Sequence, residues 1–541
     1  MSYVWSPEDM ARLERLLQRD HTLYGAVLIG LEGHLIEVQA RAMEVLDEPE
    51  SWALATKISG MATGSVREAL DRISGALSKL GWAKTHVRIL VNLGPADLPK
   101  WGTSLDLPLA IILLQAAGEL PDLPEHQEAD FLLFGELGIH GEVRRVRGAL
   151  SLAFCARPGQ KLIVPLGNEK ECALIRAKPG HEGCGIYPVG LLEEAIEFFK
   201  GKRTLENALK QSIQFSPVVA RSPDLGVIRG QEEAKEAAVI AAAGGHNLLL
   251  IGPPGEGKTL LANAMAGILP RLTDAEKVLL TKIYSACGEL GNDGQAVTRR
   301  PFRAVHHTAS TQGLIGGGSK EPRPGEITLA HLGVLFLDEL AEFRGSTLDA
   351  LRQPLEAGEI TISRVQWSVT YPCQFTLVAA MNPCPCGYYG TEKCHCRITE
   401  VKRYQKRISG PILDRIDLQV TMKPLSLEER FTPTQQEVSP RLRALVERAR
   451  ERQARRFAGT GILFNAAIPA GQVMECCQFS SEGLEAYKQV VASNNISTRS
   501  MDRLAKVART VADLSESDRV EARHVLKAAR YVIGGLLRHG F

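Results

Sequence analysis

Residues 247–267 read NLLLIGPPGEGKTLLANAMAG, an apolar strand, a glycine-rich turn and a helical run in immediate succession. The turn Gly252-Pro253-Pro254-Gly255-Glu256-Gly257-Lys258-Thr259 has the spacing GxxxxGK[ST]. Its glycines let successive main-chain N–H groups curl around a phosphate, and the following helix N-terminus adds positive potential. Lys258 is expected to reach the β and γ oxygens of a nucleoside triphosphate, with the Thr259 hydroxyl on Mg²⁺. The flanking strand and helix give the string its meaning, because they aim those N–H groups at one point.

Outward from this loop the pattern stays consistent. About 80 residues downstream, Val334-Leu-Phe-Leu-Asp338-Glu339 is an apolar strand ending in two carboxylates. Asp338 is expected to hold the Mg²⁺ shell and Glu339 to polarise the attacking water. The helical run QEEAKEAAVIAAAG alternates with the continuous apolar runs NLLLIG, GVLFLDE and FTLVAAMN, as a parallel sheet covered on both faces requires. After residue 425 strand patterns fade into segments of helical period, which predicts a helical lid. Before residue 205, AVLIGLEGHLIEVQA, VRILVNLGP, FLLFGELGIHGEV and KLIVPL read as strands, with SVREALDRISGALSKLG and RGALSLAFCA as helices. The expected fold is α/β: an α+β domain over 1–205, a polar linker over 206–225, an α/β core over 226–425 and a helical lid over 426–541.

The chain has 541 residues, enough for about three to four domains. Its 64 basic and 62 acidic residues leave a net charge of +2, so any nucleic-acid contact has to be local. Hydrophobic residues at 44% and charged residues at 23% describe a globular protein. No apolar run reaches the roughly 20 residues that span a bilayer, and the N-terminus lacks a basic-then-apolar leader. A cytoplasmic protein without a membrane contact is expected.

Eleven cysteines in such a chain do not suit a disulfide scaffold. Four of them, Cys384, Cys386, Cys394 and Cys396, form two CxC pairs whose thiolates suit tetrahedral Zn²⁺, with His395 as a substitute ligand and a reduced loop as the alternative. Basic residues follow: Arg397, Lys402, Arg403, Lys406 and Arg407, with Tyr388 and Tyr389 just before them. They suit phosphate pairing with base stacking, or equally a solvated helix face. The arginine-rich run LRALVERARERQARRF is interleaved with glutamates and reads as a solvated helix. His306 and His307, taken as adjacent strand residues, are expected on opposite faces in a structural role.

From about residue 225 onward the sequence resembles AAA+ ATPases, and within them the branch of magnesium-chelatase motor subunits and MCM helicases. The resemblance implies that Asn382, in VAAMN, positions the hydrolytic water. It implies that Arg415, in GPILDRIDL, enters the ATP site of a neighbouring subunit in a homo-hexamer, and that Arg499 of STRSMDR, or else Arg503, senses the γ-phosphate. It also places GLIGGGSKEPRPGE and EITISRVQWSVTYP in the central channel, where Lys320, Arg323 and Arg364 would grip DNA. The longer strings GGHNLLLIGPPGEGKT, RPFRAVHHTAS, PRPGEITLAHLGVLFLDEL and AAMNPCPCGYYG are similar to the YifB/ComM family across essentially the whole chain. That implies an ATP- and Mg²⁺-dependent DNA motor, a helicase driving branch migration on single-stranded and branched DNA in homologous recombination during natural transformation. A chelatase-type ATPase remodelling a protein partner without nucleic acid is the alternative. The N-terminal domain resembles the proteolytic domain of Lon in DLPKWGTSLDLPLA and GELGIHGEVRRVRGAL. There Ser104 falls near the nucleophile, but Leu150 stands where the activating lysine belongs, which implies a non-catalytic domain.

Overall fold

The computed structural model describes residues 13–60, 64–121, 130–210, 222–290, 296–318, 322–364, 367–431, 437–494 and 496–533. The chain divides into two units, one made of residues up to 218 with 273–298 and 320–322, the other of 219–272, 299–319 and 323 onward.

In the first unit, β1 (Asp20–Ile29), β2 (Glu32–Glu50), β3 (Thr56–Ser59) and β4 (Thr85–Gly94) form a sheet in the order β1-β2-β4-β3. Buried residues alternate along β4, the period-two pattern of a sheet with one covered face. Two helices accompany it, α1 (Gly64–Lys79) and α2 (Asp106–Ala116), and every residue of α2 is buried. A charge in such a helix needs a partner. Asp106 has one, because Arg72 of α1 donates to both carboxylate oxygens at 2.8 and 3.0 Å. Burial still pushes the Asp106 carboxyl up to about 6, against the pull of Arg72. A second, parallel sheet follows: β5 (Phe131–Leu133), β6 (Lys161–Pro165) and β7 (Gly185–Val189).

The second unit is organised by a five-stranded sheet. Its strands are β8 (Leu248–Ile251), β9 (Phe302–Val305), β10 (Val334–Leu337), β13 (Thr376–Met381) and β14 (Leu418–Thr421), with the hairpin β11 (Glu359–Arg364) and β12 (Trp367–Pro372) lying between β10 and β13 in the chain. The sheet order is β9-β10-β13-β8-β14, and all pairings are parallel. Strands β8, β10 and β13 are buried at every position, as strands covered on both faces must be. Registers keep their C-terminal ends nearly level: Ile251 lies beside Met381 and Thr421, and Leu337 beside Ala379 and Val305. The helices α3 (Glu232–Gly244) and α4 (Lys258–Ala266) flank β8 in sequence.

One helix crosses the linear order. The chain leaves α4, runs through α5 (Asp274–Cys287) and returns at β9, yet α5 belongs to the first unit. There the Ser285 hydroxyl donates to the buried carboxylate of Glu171, the Ser285 carbonyl accepts from Gly148 N at 3.0 Å, and Lys282 pairs with Glu32 at 3.0 Å. The α/β class and the helical C-terminal region expected from the sequence are both present.

The C-terminal helices α8 (Val438–Arg456), α9 (Ser481–Asn494), α10 (Thr498–Leu514) and α11 (Ala522–Val532) follow β14, with α6 (Arg352–Ala357) and α7 (Ile398–Gln405) lying earlier in the chain. The α8 run read as a solvated arginine face is partly inward: Arg450 and Gln453 donate to the carbonyls of Ala242 and Ala243 at 3.0 Å, satisfying the C-terminus of α3. Arg456 and the fully buried Arg509 converge on Asp513, which also accepts from Asn465 at 2.9 Å. Removing the acid would leave these cations buried without their partner. Asp513→Ala should therefore cost about 3–5 kcal/mol, read as a lower urea midpoint for the C-terminal helices. An unchanged midpoint would mean that the guanidinium groups reach water.

Candidate nucleotide site

Because β8, β10 and β13 end level, the residues that follow them meet. The loop after β8 turns through Gly255 (φ 85°) and Gly257 (φ 83°), where a side chain would be strained, and Gly257 starts α4. Lys258 folds back over this turn. Its ammonium donates to the carbonyls of Gly252 and Pro253 at 2.6 and 2.8 Å and to Asn382 Oδ1, just after β13, at 3.1 Å. Burial pulls the Lys258 pKa below its ordinary value, while Asp338, Glu256 and Glu339 pull the other way. The Thr259 hydroxyl donates to Asp338 Oδ2 at 3.1 Å, so the two expected Mg²⁺ ligands already face each other. Positive-φ glycines, a helix N-terminus, one ammonium and a hydroxyl–carboxylate pair fit a Mg²⁺–triphosphate. Thr259 and Asp338 would hold the ion, which when bound offsets phosphate charge.

Glu339 sits at φ 51°, an unusual conformation for a residue with a side chain. Its Oε2 lies 2.8 Å from His307 Nδ1. The histidines thus depart from the expectation of opposite faces. Strand β9 stops at Val305, and beyond it the two rings stand 4.0 Å apart, with His306 Nδ1 3.0 Å from Thr308 Oγ1. A turn after the strand, and not a continuing pleat, brings His307 to the acid. Sequence period gave no hint of this contact, although the short apolar run FRAV followed by polar residues marks the strand end.

Two expected arginines stand apart from this cluster. Among the described residues no hydrogen bond or ion pair joins Arg415 or Arg499 to Lys258, Asp338 or Asn382. Arg415 is 11% exposed, paired with Glu356 of α6 and donating to Pro411 O at 2.7 Å. Arg499 is 64% exposed and 3.7 Å from Asp414, while Arg503 is buried and donates to the carbonyls of Leu413 and Ile416, bracing the turn that carries Arg415.

The expected DNA-facing residues are scattered. Lys320 lies outside the described residues. Arg323 is exposed on a two-residue strand paired with Gly316–Gly317. Arg364 ends β11, opposite Trp367 of β12, so the alternating segment is a hairpin as expected, and its side chain lies outside the description. Lys402 and Arg403 are exposed on α7, and Arg407 beyond it pairs with Glu342 at 2.8 Å.

Three of the four clustered cysteines give sulfur separations of 3.3, 3.9 and 3.7 Å (Cys384–Cys386, Cys384–Cys394, Cys386–Cys394), and Cys396 lies within 4.8 Å of all of them. A tetrahedron with Zn–S bonds of about 2.3 Å has edges of about 3.8 Å, so the cluster is compatible with structural zinc. The Tyr388 amide holds the Cys386 thiol down at about 6, while burial pushes Cys384 up to about 12.

In the first unit, the Ser104 hydroxyl donates to Ala26 O at 2.7 Å and Leu150 is fully buried. The buried Lys100 amine donates to Pro95 O.

A phosphate loop after β8, the parallel strand order and the carboxylates closing β10 define the AAA+ class of P-loop nucleoside triphosphatases. Family comparison agrees: residues 224–430 match the model for magnesium chelatase subunit ChlI, 50–168 a further ChlI model and 436–532 its C-terminal model. The chain is 40% identical to YifB of Escherichia coli over 490 residues, 89% of this chain and 92% of that protein. It is 38% identical to competence protein ComM of Haemophilus influenzae over 481 residues, 87% and 91% respectively. The 38 kDa subunit of magnesium chelatase from Cereibacter sphaeroides is 26% identical over 190 residues, 32% of this chain and 54% of that one. The chain belongs to the YifB/ComM family of magnesium-chelatase-like AAA+ proteins, which implies ATP and Mg²⁺ as its ligands.

Glu339→Gln should preserve binding of a fluorescent ATP analogue and slow phosphate release by about 10²–10⁴-fold, whereas Lys258→Ala should abolish binding itself. Wild-type turnover in Glu339→Gln would remove Glu339 from the chemistry.

Proposed function

We propose that the protein is an ATP-hydrolysing DNA motor, acting as a homo-hexamer on single-stranded and branched DNA during recombination, in the cytoplasm. The observation that carries the ATP-hydrolysing part of the reading is the meeting of Lys258, Thr259, Asp338 and Asn382 at the level ends of three parallel strands. Lys258, Thr259 and Asp338 bind and orient the triphosphate, Asn382 positions the attacking water, and Glu339 takes that water's proton at its carboxylate once it is released from His307. Before substrate arrives Lys258 is held by carbonyls of the loop, which it exchanges for phosphate oxygens on binding.

Arg415 completes the site of a neighbouring subunit. Its own site lies elsewhere, and in this protomer the guanidinium is parked on Glu356, from which a neighbour's γ-phosphate draws it. Arg499 is the more exposed of the two lid arginines and the one free to reach a nucleotide, because the donors of Arg503 serve backbone carbonyls. Lys320, Arg323 and Arg364, with Lys402 and Arg403, contact the DNA backbone. Family kinship with a protein named for competence supports the DNA reading over a purely protein-directed one.

Residues 1–205 form a non-catalytic Lon-like domain joined through 206–225 to the ATPase core 226–425, whose inserted segment 273–298 belongs to the first unit, and to the lid 426–541. The Ser104 proton is already committed to a main-chain carbonyl, and no lysine replaces Leu150. Cys384, Cys386, Cys394 and Cys396 hold one structural Zn²⁺ per subunit. Metal analysis should return close to one zinc per chain, and a content far below one would refute the site.

The deciding test is three-stranded exchange with ATP. Junctions should move with the wild type and stand still with Lys258→Ala, and branched DNA should accelerate hydrolysis. ATP turnover indifferent to every DNA structure would overturn the motor and favour a remodeller of a protein partner.

A further inference from the structure

The cysteine cluster does not sit apart from the nucleotide site. Cys384 follows Asn382 by two residues, and Asn382 is the acceptor that ties Lys258 to β13. Beyond Cys384 the chain makes a tight turn in which Gly387 N donates to Cys384 O at 3.0 Å and Gly387 takes φ 86°. That turn lies against the phosphate loop. A side-chain carbon at Gly387 would come within 2.9 Å of Pro254 Cδ and 3.9 Å of Asn382 Cγ. The opposite side of the segment is also held, because Gln405 of α7 donates to Pro383 O at 3.0 Å and both Gln405 and Cys384 are buried. Pro254 therefore packs on the turn Cys384–Gly387, which carries Cys384 and Cys386 of the thiol cluster.

We propose that the metal held by the four thiolates braces the ATP site: by pinning Cys384 and Cys386 it fixes the Gly387 turn against Pro254 and sets the position of Asn382 over Lys258. The inference rests on the zinc reading of Proposed function and adds a consequence to it. Among the described residues no hydrogen bond joins Cys394 or Cys396 to the phosphate loop, yet each is needed to hold the ion that immobilises Cys384 and Cys386. Zinc here takes no part in hydrolysis. It replaces the hydrophobic packing that a glycine-rich loop of this kind lacks, and a displacement of the loop by about 1 Å is enough to cost about 10²-fold in rate.

The test uses the full-length chain. Zinc content, affinity for fluorescent ADP and hydrogen exchange of the peptide spanning 248–262 are measured for wild type, for the double variant Cys394→Ser/Cys396→Ser and for Gly387→Ala. The double variant should lose zinc, and its 248–262 amides should exchange faster. Its nucleotide affinity should fall at least tenfold. Gly387→Ala keeps every thiol, so it should keep zinc and still lose nucleotide affinity, because a side chain is strained at φ 86° and its methyl meets Pro254. Should the double variant fail to fold, stripping zinc from wild type with a chelator and restoring it should raise and then reverse the exchange of 248–262. Wild-type exchange and affinity in zinc-free protein overturn the brace while leaving the zinc site standing. Wild type that contains no zinc overturns both.

Discussion

The half-buried ammonium of Lys258 is the constraint on which the nucleotide site depends. It gathers the carbonyls of Gly252 and Pro253 and the amide oxygen of Asn382, so the loop after β8 and the end of β13 are bound to one cation. A charge so placed is tolerable only because three acceptors surround it and because two acids, Asp338 and Glu339, stand at the end of β10. The parallel sheet makes this possible. Five strands running the same way present all their C-terminal ends on one edge, and there loops from strands distant in sequence converge. The strand order β9-β10-β13-β8-β14 puts β13 directly beside β8, which is why Asn382 reaches Lys258 although 124 residues separate them.

Groups that the proposed chemistry uses, at this edge and apart from it, already have neighbours before any ligand arrives. Asp338 accepts from Thr259, Glu339 lies against His307, and Arg415 is paired with Glu356. Each pairing occupies a group that the proposed chemistry needs free, so binding and assembly are exchanges of partners. The cost of charge burial is met elsewhere by permanent pairs, Arg72 with Asp106 in the first unit and Arg456 and Arg509 with Asp513 in the C-terminal helices. Asp106 shows the strain in that arrangement, since burial holds its carboxyl near 6 even beside a guanidinium.

Local patterns in the chain were legible wherever chemistry depends on near neighbours. GPPGEGKT between a strand and a helix, VLFLDE, and VAAMN each carry their own context, and the structure brings their polar ends together. The cysteine spacing likewise forecast a cluster. Contacts set by a turn or by a partner far along the chain were not legible. His306 and His307 read as strand residues on opposite faces because alternation extends a strand that in fact stops at Val305. The α8 arginines read as solvated because the glutamates between them suggest an outer face, while Arg450 and Arg456 reach inward to backbone and acid. Residues 274–287 fall inside the 226–425 stretch assigned to the α/β core, and nothing local in the sequence states that Ser285 and Lys282 bind Glu171 and Glu32 of the first unit.

The sequence by itself therefore determined the α/β class, the helical C-terminal region, the phosphate loop and its two carboxylates. Each of these follows from side-chain period or from residues within one turn of each other, where backbone geometry leaves little choice. Tertiary structure alone decided which acid meets His307, which oxygen receives the Lys258 ammonium, which carboxylate parks Arg415, and that the Gly387 turn rests on Pro254. Those pairings depend on strand order and loop closure over long separations, and many different closures are compatible with the same local propensities until packing selects one.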